Sequence, residues 1–241
     1  MQLKTTKIIM SAVVLFGCFT VNAQAVEISP YASFKINYGQ IKADGESGLA
    51  DGSVESSSFN FDSTFNSRIA AGASLDISKN GALRVELEYS DTTASFFEYT
   101  GTIAGGGSNE EFTYKLQSKT LLLNTYFDVN TGTILTPYIG LGAGVNHASL
   151  ESNFKAGNFS TPTSIVSDWL PVWNIGVGVG VQITEALTLD IGYRYTDLGK
   201  LKGQKGLYWN QAGVGVWRVG EIVAGSRFTS HEGSIGLRYN F

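Results

Sequence analysis

A period of two, repeated eight times, governs this chain. The closing stretch shows it most simply: from Gly233 to Phe241, Ile235, Leu237, Tyr239 and Phe241 alternate with Ser234, Gly236, Arg238 and Asn240. Successive side chains of a strand point to opposite faces, so such a stretch is apolar on one side and polar on the other. The same alternation returns in Ser29–Ile41, Phe59–Ile77, Leu83–Tyr89, Leu121–Val129, Pro137–Val145, Trp169–Ile183 and Leu187–Tyr195. Period two over eight segments leaves no room for a helical bundle. The 29 glycines, against only 4 prolines, suit closely approaching strands rather than helices.

The connections alternate in length. Ser78-Lys-Asn-Gly81, Asn130-Thr-Gly132 and Thr184-Glu-Ala186 are short, and the Asn-Gly pair in the first signals a tight hairpin turn. Lys42–Ser58, Asp91–Thr113, Ala148–Asp168 and Asp197–Ser230 are long and read as loops, the last containing Leu207-Tyr-Trp-Asn210 and Val214-Gly-Val-Trp-Arg-Val219, which are expected to form a hairpin above the membrane rather than two extra wall strands. Short turns on one side and long loops on the other are the pattern of a barrel that crosses an outer membrane.

Periodicity does not say which face is inside; side-chain chemistry does. One face carries Lys35, Arg68, Glu86, Glu88, Asp190, Arg194 and Arg238, of mixed sign, as suits mutual pairing in a closed interior. The other carries aromatic residues near the strand ends. Tyr38, Phe59, Tyr89, Trp169, Trp173, Tyr193 and Tyr195 stand at the loop end, and Phe127, Tyr239 and Phe241 at the turn end. Two aromatic girdles flanking an apolar band mark a wall that faces lipid. The expected fold is all-β, an eight-stranded antiparallel up-and-down transmembrane β-barrel.

The first 25 residues are expected to be a secretory signal peptide. Lys4 and Lys7 precede an apolar run from Ile8 to Phe19, and Ala23-Gln24-Ala25 forms an A-x-A cleavage site. A loose lipobox at Leu15-Phe16-Gly17-Cys18 is the rival reading, to which Phe16 is a poor fit. Cleavage after Ala25 leaves 26–241 as a barrel with four long extracellular loops. The single cysteine, Cys18, departs with the signal, so neither a disulfide nor thiol chemistry is expected. The formal net charge of −4 argues against nucleic acid as a partner.

Three stretches carry a resemblance: Pro137-Tyr-Ile-Gly-Leu-Gly-Ala-Gly144, Ile191-Gly-Tyr-Arg-Tyr-Thr-Asp-Leu-Gly199 and the closing Leu237-Arg-Tyr-Asn-Phe241. With them the chain after residue 25 resembles the opacity-protein and surface-antigen superfamily of small outer-membrane barrels, related in architecture to the OmpA-type transmembrane domain. The resemblance implies an integral surface protein of a Gram-negative envelope. It implies outer-membrane lipid and lipopolysaccharide as neighbours, and the barrel assembly machinery as reader of the closing strand. Host or environmental surface ligands would be bound through the loops. The function this implies is a structural and surface-interaction protein of the antigen or adhesin type. A narrow passive porin-like channel is the alternative, and a lipid A-modifying enzyme a third reading.

Several residues could in principle carry chemistry. Gly140-Leu-Gly-Ala-Gly144 and Gly176-Val-Gly-Val-Gly180 look like nucleotide loops, but their glycines recur at period two on strands rather than at a strand-to-helix turn. They are expected to clear inward space for bulky side chains from across the lumen. His147-Ala-Ser149 matches the H-x-S pair of the outer-membrane lipid A deacylases, in which a carboxylate orients the histidine and the serine attacks. Here Glu151 is a doubtful orienter, and a polar rim is the expectation. His231 is expected in solvated loop above the closing strand. Glu86 and Glu88, beside Arg84, are expected to form a salt-bridge network rather than an acid–base pair. No catalytic, cofactor-binding or metal-binding residue is assigned.

Overall fold

A computed structural model describes residues 28–48, 54–94, 97–102, 109–156, 159–160, 164–202, 207–210, 216–219 and 226–241. The expected signal peptide lies outside them. Eight long strands form the wall: β1 (Ile28–Gly48), β2 (Val54–Ser78), β3 (Gly81–Thr93), β4 (Asn109–Val129), β5 (Leu135–Ala156), β6 (Ser164–Gln182), β7 (Leu187–Lys200) and β8 (Arg227–Asn240). Each pairs antiparallel with its neighbour in sequence, and β8 pairs back with β1, so the sheet is closed. Among the described residues no helix is long and apolar enough to cross a membrane. The crossing is made by strands.

The register fixes the geometry. Stepping across paired residues from Tyr31 through Gly72, Glu86, Asn124, Gly142, Asn174, Thr196 and Ser230 returns to β1 at Ile41 rather than Tyr31. That offset of ten residues is the shear. With eight strands it tilts them by about 40°, so each residue rises roughly 2.5 Å along the barrel axis. An eight-stranded barrel of this kind has an interior that side chains can fill.

The inward and outward faces fall as the alternation predicts. Phe34, Tyr38, Leu87, Tyr89, Leu123, Ile139, Trp173, Ile191, Leu237 and Tyr239 are exposed on the outside, while Lys35, Arg68, Glu86, Glu88, Asp190, Arg194 and Arg238 are buried within. Two of the short turns are closed by their own side chains. The Gly132 amide donates to Asn130 Oδ1 at 3.0 Å, and that glycine adopts φ +71°. The Leu187 amide donates to Thr184 Oγ1 at 3.0 Å. The first turn is formed by Lys79 and Asn80, with Ser78 paired to Gly81.

The long connections differ from expectation. Lys42–Ser58 is largely strand: β1 runs to Gly48 and β2 starts at Val54. β5 continues to Ala156 and β6 starts at Ser164, inside the stretch read as a loop over Ala148–Asp168. Within Asp91–Thr113, a short strand Phe97–Thr102 pairs with the first residues of β4. Within Asp197–Ser230, by contrast, the expected hairpin forms: Leu207–Asn210 pairs with Val216–Val219 as a separate two-stranded sheet, not as added wall.

The 21 residues of β1 rise roughly 50 Å, twice the ~25 Å of a lipid-facing band, so the wall continues into water. Along β1 the alternation of faces is unbroken, but the apolar residues change sides: Phe34, Ile36 and Tyr38 point out, whereas Ile41 and Ala43 point in while Lys42 and Asp44 point out. Leu116 on β4, Leu150 on β5, Leu170 on β6 and Phe228 on β8 also point inward, forming one apolar cluster. Below this level apolar residues meet lipid; above it burial from water favours the inside, and Ile165 is one apolar residue that stays outward.

Candidate functional site

The lumen and the extracellular rim are the places where this barrel could bind, conduct or react. The lumen is built from the inward residues of every strand. Nearest the short turns, Arg84 lies 2.6 Å from Asp128 and over the rings of Tyr126 and Tyr138, with centroids 4.7 and 5.0 Å away. Arg238 reaches Asp190 on the neighbouring strand β7 at 3.2 Å.

One layer higher, Glu86 accepts from Tyr126 Oη at 2.8 Å and Tyr31 Oη at 3.0 Å, with Lys35 at 3.4 Å. Glu88, fully buried, takes both arms of Arg194 at 2.5 and 3.0 Å. Arg68 pairs with Glu232 and, at 3.7 Å, with Glu88, while Asn66 donates to Glu232 at 2.7 Å. Lys35, Arg68, Arg84, Arg194 and Arg238 thus face Glu86, Glu88, Asp128, Asp190 and Glu232, and the charges cancel. A buried charge without a partner is expensive, and each of these has one. Glu86 and Glu88 are members of this network, as expected, and not a free acid–base pair.

The glycine faces make this filling possible, by a different route from the one expected. Gly140 lies directly beside Tyr126 on the neighbouring strand, where any Cβ would strike its ring. Gly142 gives the same room to Asn124, and Gly178 to Tyr138. The space serves side chains from adjacent strands rather than from across the lumen, because shear leans each side chain over its neighbour.

Above the ionic layers is a cavity of about 20 Å³, room for about one water, bordered by Arg68, Arg194, Glu232 and Leu122, by Ser90 and Thr120, and, toward the loop end, by Ile41 of the apolar cluster. Ser90 and Thr120 share a 2.5 Å hydrogen bond. Farther up, Asn146 accepts from Ser118 at 2.8 Å and donates to the Leu198 carbonyl at 2.9 Å. The lumen is therefore closed twice, by ions and then by hydrocarbon.

The apolar closure was missed by sequence reasoning. Its signal was present: Leu150 and Phe228 stand within stretches taken as loops, and Leu116 and Ile41 stand out of phase with the outward face.

His147 and Ser149 both lie on the outward face of β5, two residues apart. The His147 ring packs on Trp169, centroids 5.0 Å apart, and the Ser149 hydroxyl accepts from Ser167 at 2.9 Å. Each half of the H-x-S pair is engaged elsewhere. His231 is corrected: it belongs to β8, not to a loop. Its Nδ1 shares a 2.6 Å hydrogen bond with Tyr193 Oη, and its ring lies 5.0 Å from that of Tyr195, within the loop-side aromatic girdle. Among the described residues no group of three or more His, Cys, Asp or Glu could hold a metal ion.

Comparison with known proteins agrees with this geometry. Residues 11–218 match the family model described as the outer membrane protein beta-barrel domain. Among curated proteins, the chain is similar to the outer membrane protein PagN of Salmonella typhimurium, 30% identical over 95 residues, covering 39% of the chain and 40% of that protein. It is also similar to the outer membrane protein P.IIC of Neisseria gonorrhoeae, 29% identical over 142 residues, 49% of the chain and 44% of that protein. The chain spans less than half the length of each of these relatives. Among solved structures, the outer membrane protease OmpT of Escherichia coli superposes with a TM-score of 0.51 over 88% of the chain and 97% of OmpT. At 13% identity that likeness is one of fold alone.

Proposed function

Because the chain belongs to the outer-membrane β-barrel domain family, we propose that it is a non-catalytic, non-conducting surface scaffold, an antigen or adhesin that presents its extramembrane strands and connections to ligands outside the cell. The barrel is an integral protein of the Gram-negative outer membrane. The observation that carries the proposal is the pairing of a sealed lumen with strands that rise far past the lipid band. A rigid wall supporting irregular connections is the usual arrangement for recognition. A conducting path would have to break the Glu88–Arg194 and Arg68–Glu232 pairs and part the apolar cluster above them. Residues 1–25 serve in this reading as the export signal, and β8 as the strand offered to the assembly machinery. Lipopolysaccharide surrounds the wall in the outer leaflet.

The test has two arms. In planar bilayers the purified barrel is expected to give no large, stable open state. Cells carrying the intact protein are expected to adhere to host or matrix surfaces, and deletion of 203–225 is expected to remove adhesion while leaving the barrel inserted. A stable open state would sink the closed-lumen reading, and full adhesion after deletion would sink the role of that connection.

A further inference from the structure

The wall is continuous through the lipid and parts above it at β6. The outward apolar residues of this strand, from Ile183 up to Trp173, rise roughly 25 Å, the height of a lipid-facing band. Over that height β6 pairs with β5 on one side and, from Gln182 to Trp173, with β7 on the other. Unpaired backbone is not tolerated in hydrocarbon, so the ladder must be complete there. Beyond Trp173 the pairing with β5 continues to Ser164, but among the described residues no strand pairs with the opposite edge. The parting is built in. Pro171 has no amide hydrogen to give to β7. Leu198 is the extra residue of a bulge opposite Phe228 and Thr229, and Gly199 adopts φ +95°, so β7 bends away. The edge that remains is Ile165, Ser167 and Trp169, whose amides and carbonyls point away from β5. Ser167 Oγ donates to Ser149 Oγ at 2.9 Å, and the Trp169 ring lies 5.0 Å from that of His147, as in the narrow pairs of an antiparallel ladder that exchange no backbone bond. The Trp169 amide donates instead to the Asp168 carboxylate, at 2.8 Å.

We infer that this edge receives an extended polypeptide segment of an extracellular partner as an added strand. Donors and acceptors that repeat every second residue match the backbone of another strand, and neither a sugar nor an acyl chain presents them at that spacing. A second copy in the same membrane does not fit, because every copy of β6 descends toward the turns and two of them cannot lie antiparallel. Val166, half-buried against the apolar cluster, gives the inward side chains of the added strand an apolar floor. At the foot of the edge Gly199 lies so close to Leu170 that a Cβ there would strike it, and Lys200 and Lys202 follow, both exposed. Their charges face only Asp168 on this edge, since Glu151 beside Ile165 is opposed by Lys115, and Arg227 is held by Asp197. The surplus of positive charge selects acidic side chains on the outward face of the added strand. A peptide carbonyl then takes the Trp169 amide, and the Asp168 carboxylate returns to water.

The inference rests on the reading of the barrel as a surface-interaction protein and names how a partner is held. The probe is a fluorescent seven-residue peptide of alternating valine and glutamate, titrated into the barrel in lipid nanodiscs. It is expected to bind, and methylation of its backbone amides is expected to lower the affinity about tenfold. Ser167→Pro removes one edge amide, leaves the bonds to β5 in place and should cost the same, whereas Ser167→Ala should bind as the wild type does. Lys200→Glu combined with Lys202→Glu should weaken binding several-fold and flatten its dependence on salt. Heat-resistant gel mobility confirms that each variant is folded. A wild type that does not bind the peptide, or that binds the methylated peptide equally, would overturn strand addition. Unchanged binding by Ser167→Pro would place the peptide elsewhere and overturn this edge. On cells, adhesion that survives Ser167→Pro but is lost on deletion of 203–225 would overturn the edge as the partner's seat and leave the surface role standing. Absence of adhesion from the wild type would remove the surface role, while the peptide titration still decides the edge.

Discussion

Arg194→Met separates a sealed interior from a hydrated one. Arg194 holds Glu88 with two hydrogen bonds, of 2.5 and 3.0 Å, and donates a third to Tyr126 Oη at 3.0 Å. Glu88 is fully buried, and its remaining cation, Arg68, is 3.7 Å away and already committed to Glu232. Methionine keeps most of the side-chain length but removes the charge, stranding a carboxylate in a site closed above by hydrocarbon. Breaking one partner of a buried pair costs about 3–5 kcal/mol, and Glu88→Met should cost a similar amount by stranding Arg194. Replacing both leaves an apolar contact with no orphaned charge. The double variant should therefore lose much less than the two single losses added together. Denaturant unfolding of the barrel in lipid, followed by tryptophan fluorescence and heat-modified gel mobility, measures all four forms. A loss below about 1 kcal/mol for Arg194→Met, or simple additivity in the cycle, would mean that water solvates Glu88, and the closed lumen would have to be abandoned.

Other changes probe other levels. Arg238→Ala leaves Asp190, 3% exposed, without its 3.2 Å partner, and should lower the unfolding temperature while insertion proceeds; the gel-shift assay reads both. Gly142→Val sets a branched side chain where Asn124 and Asn174 meet and should cost at least 1–3 kcal/mol in the same assay, whereas Val177→Ile on the lipid face should stay within about 0.5 kcal/mol. Trypsin added to intact cells should cut in the connection between Leu201 and Ser226 and spare Lys79 in the first short turn; cleavage at Lys79 from outside would invert the topology.

What the sequence determined by itself follows from short-range rules. Alternation over two residues is local, so the faces of Phe34 and Lys35, or of Leu237 and Arg238, could be read without any contact map. The pairing of Arg238 with Asp190 was legible for the same reason, since neighbouring strands of an up-and-down barrel must touch. Two other features lay beyond that reach. Which residue opposes which depends on a shear of ten accumulated around all eight strands, and only that offset brings Arg194 of β7 onto Glu88 of β3, across the lumen. The ends of the strands were hidden by a change of solvent. A segment polar outside and apolar inside reads as loop against a lipid-facing template, although Ile41, Leu116, Leu150 and Phe228 were telling of a second core. His231 was misplaced by the same template: it is polar and outward, and only the continuation of β8 to Arg227 sets it among Tyr193 and Tyr195. Local chemistry states which face a residue prefers, but the height at which lipid gives way to water is set by the closed barrel as a whole.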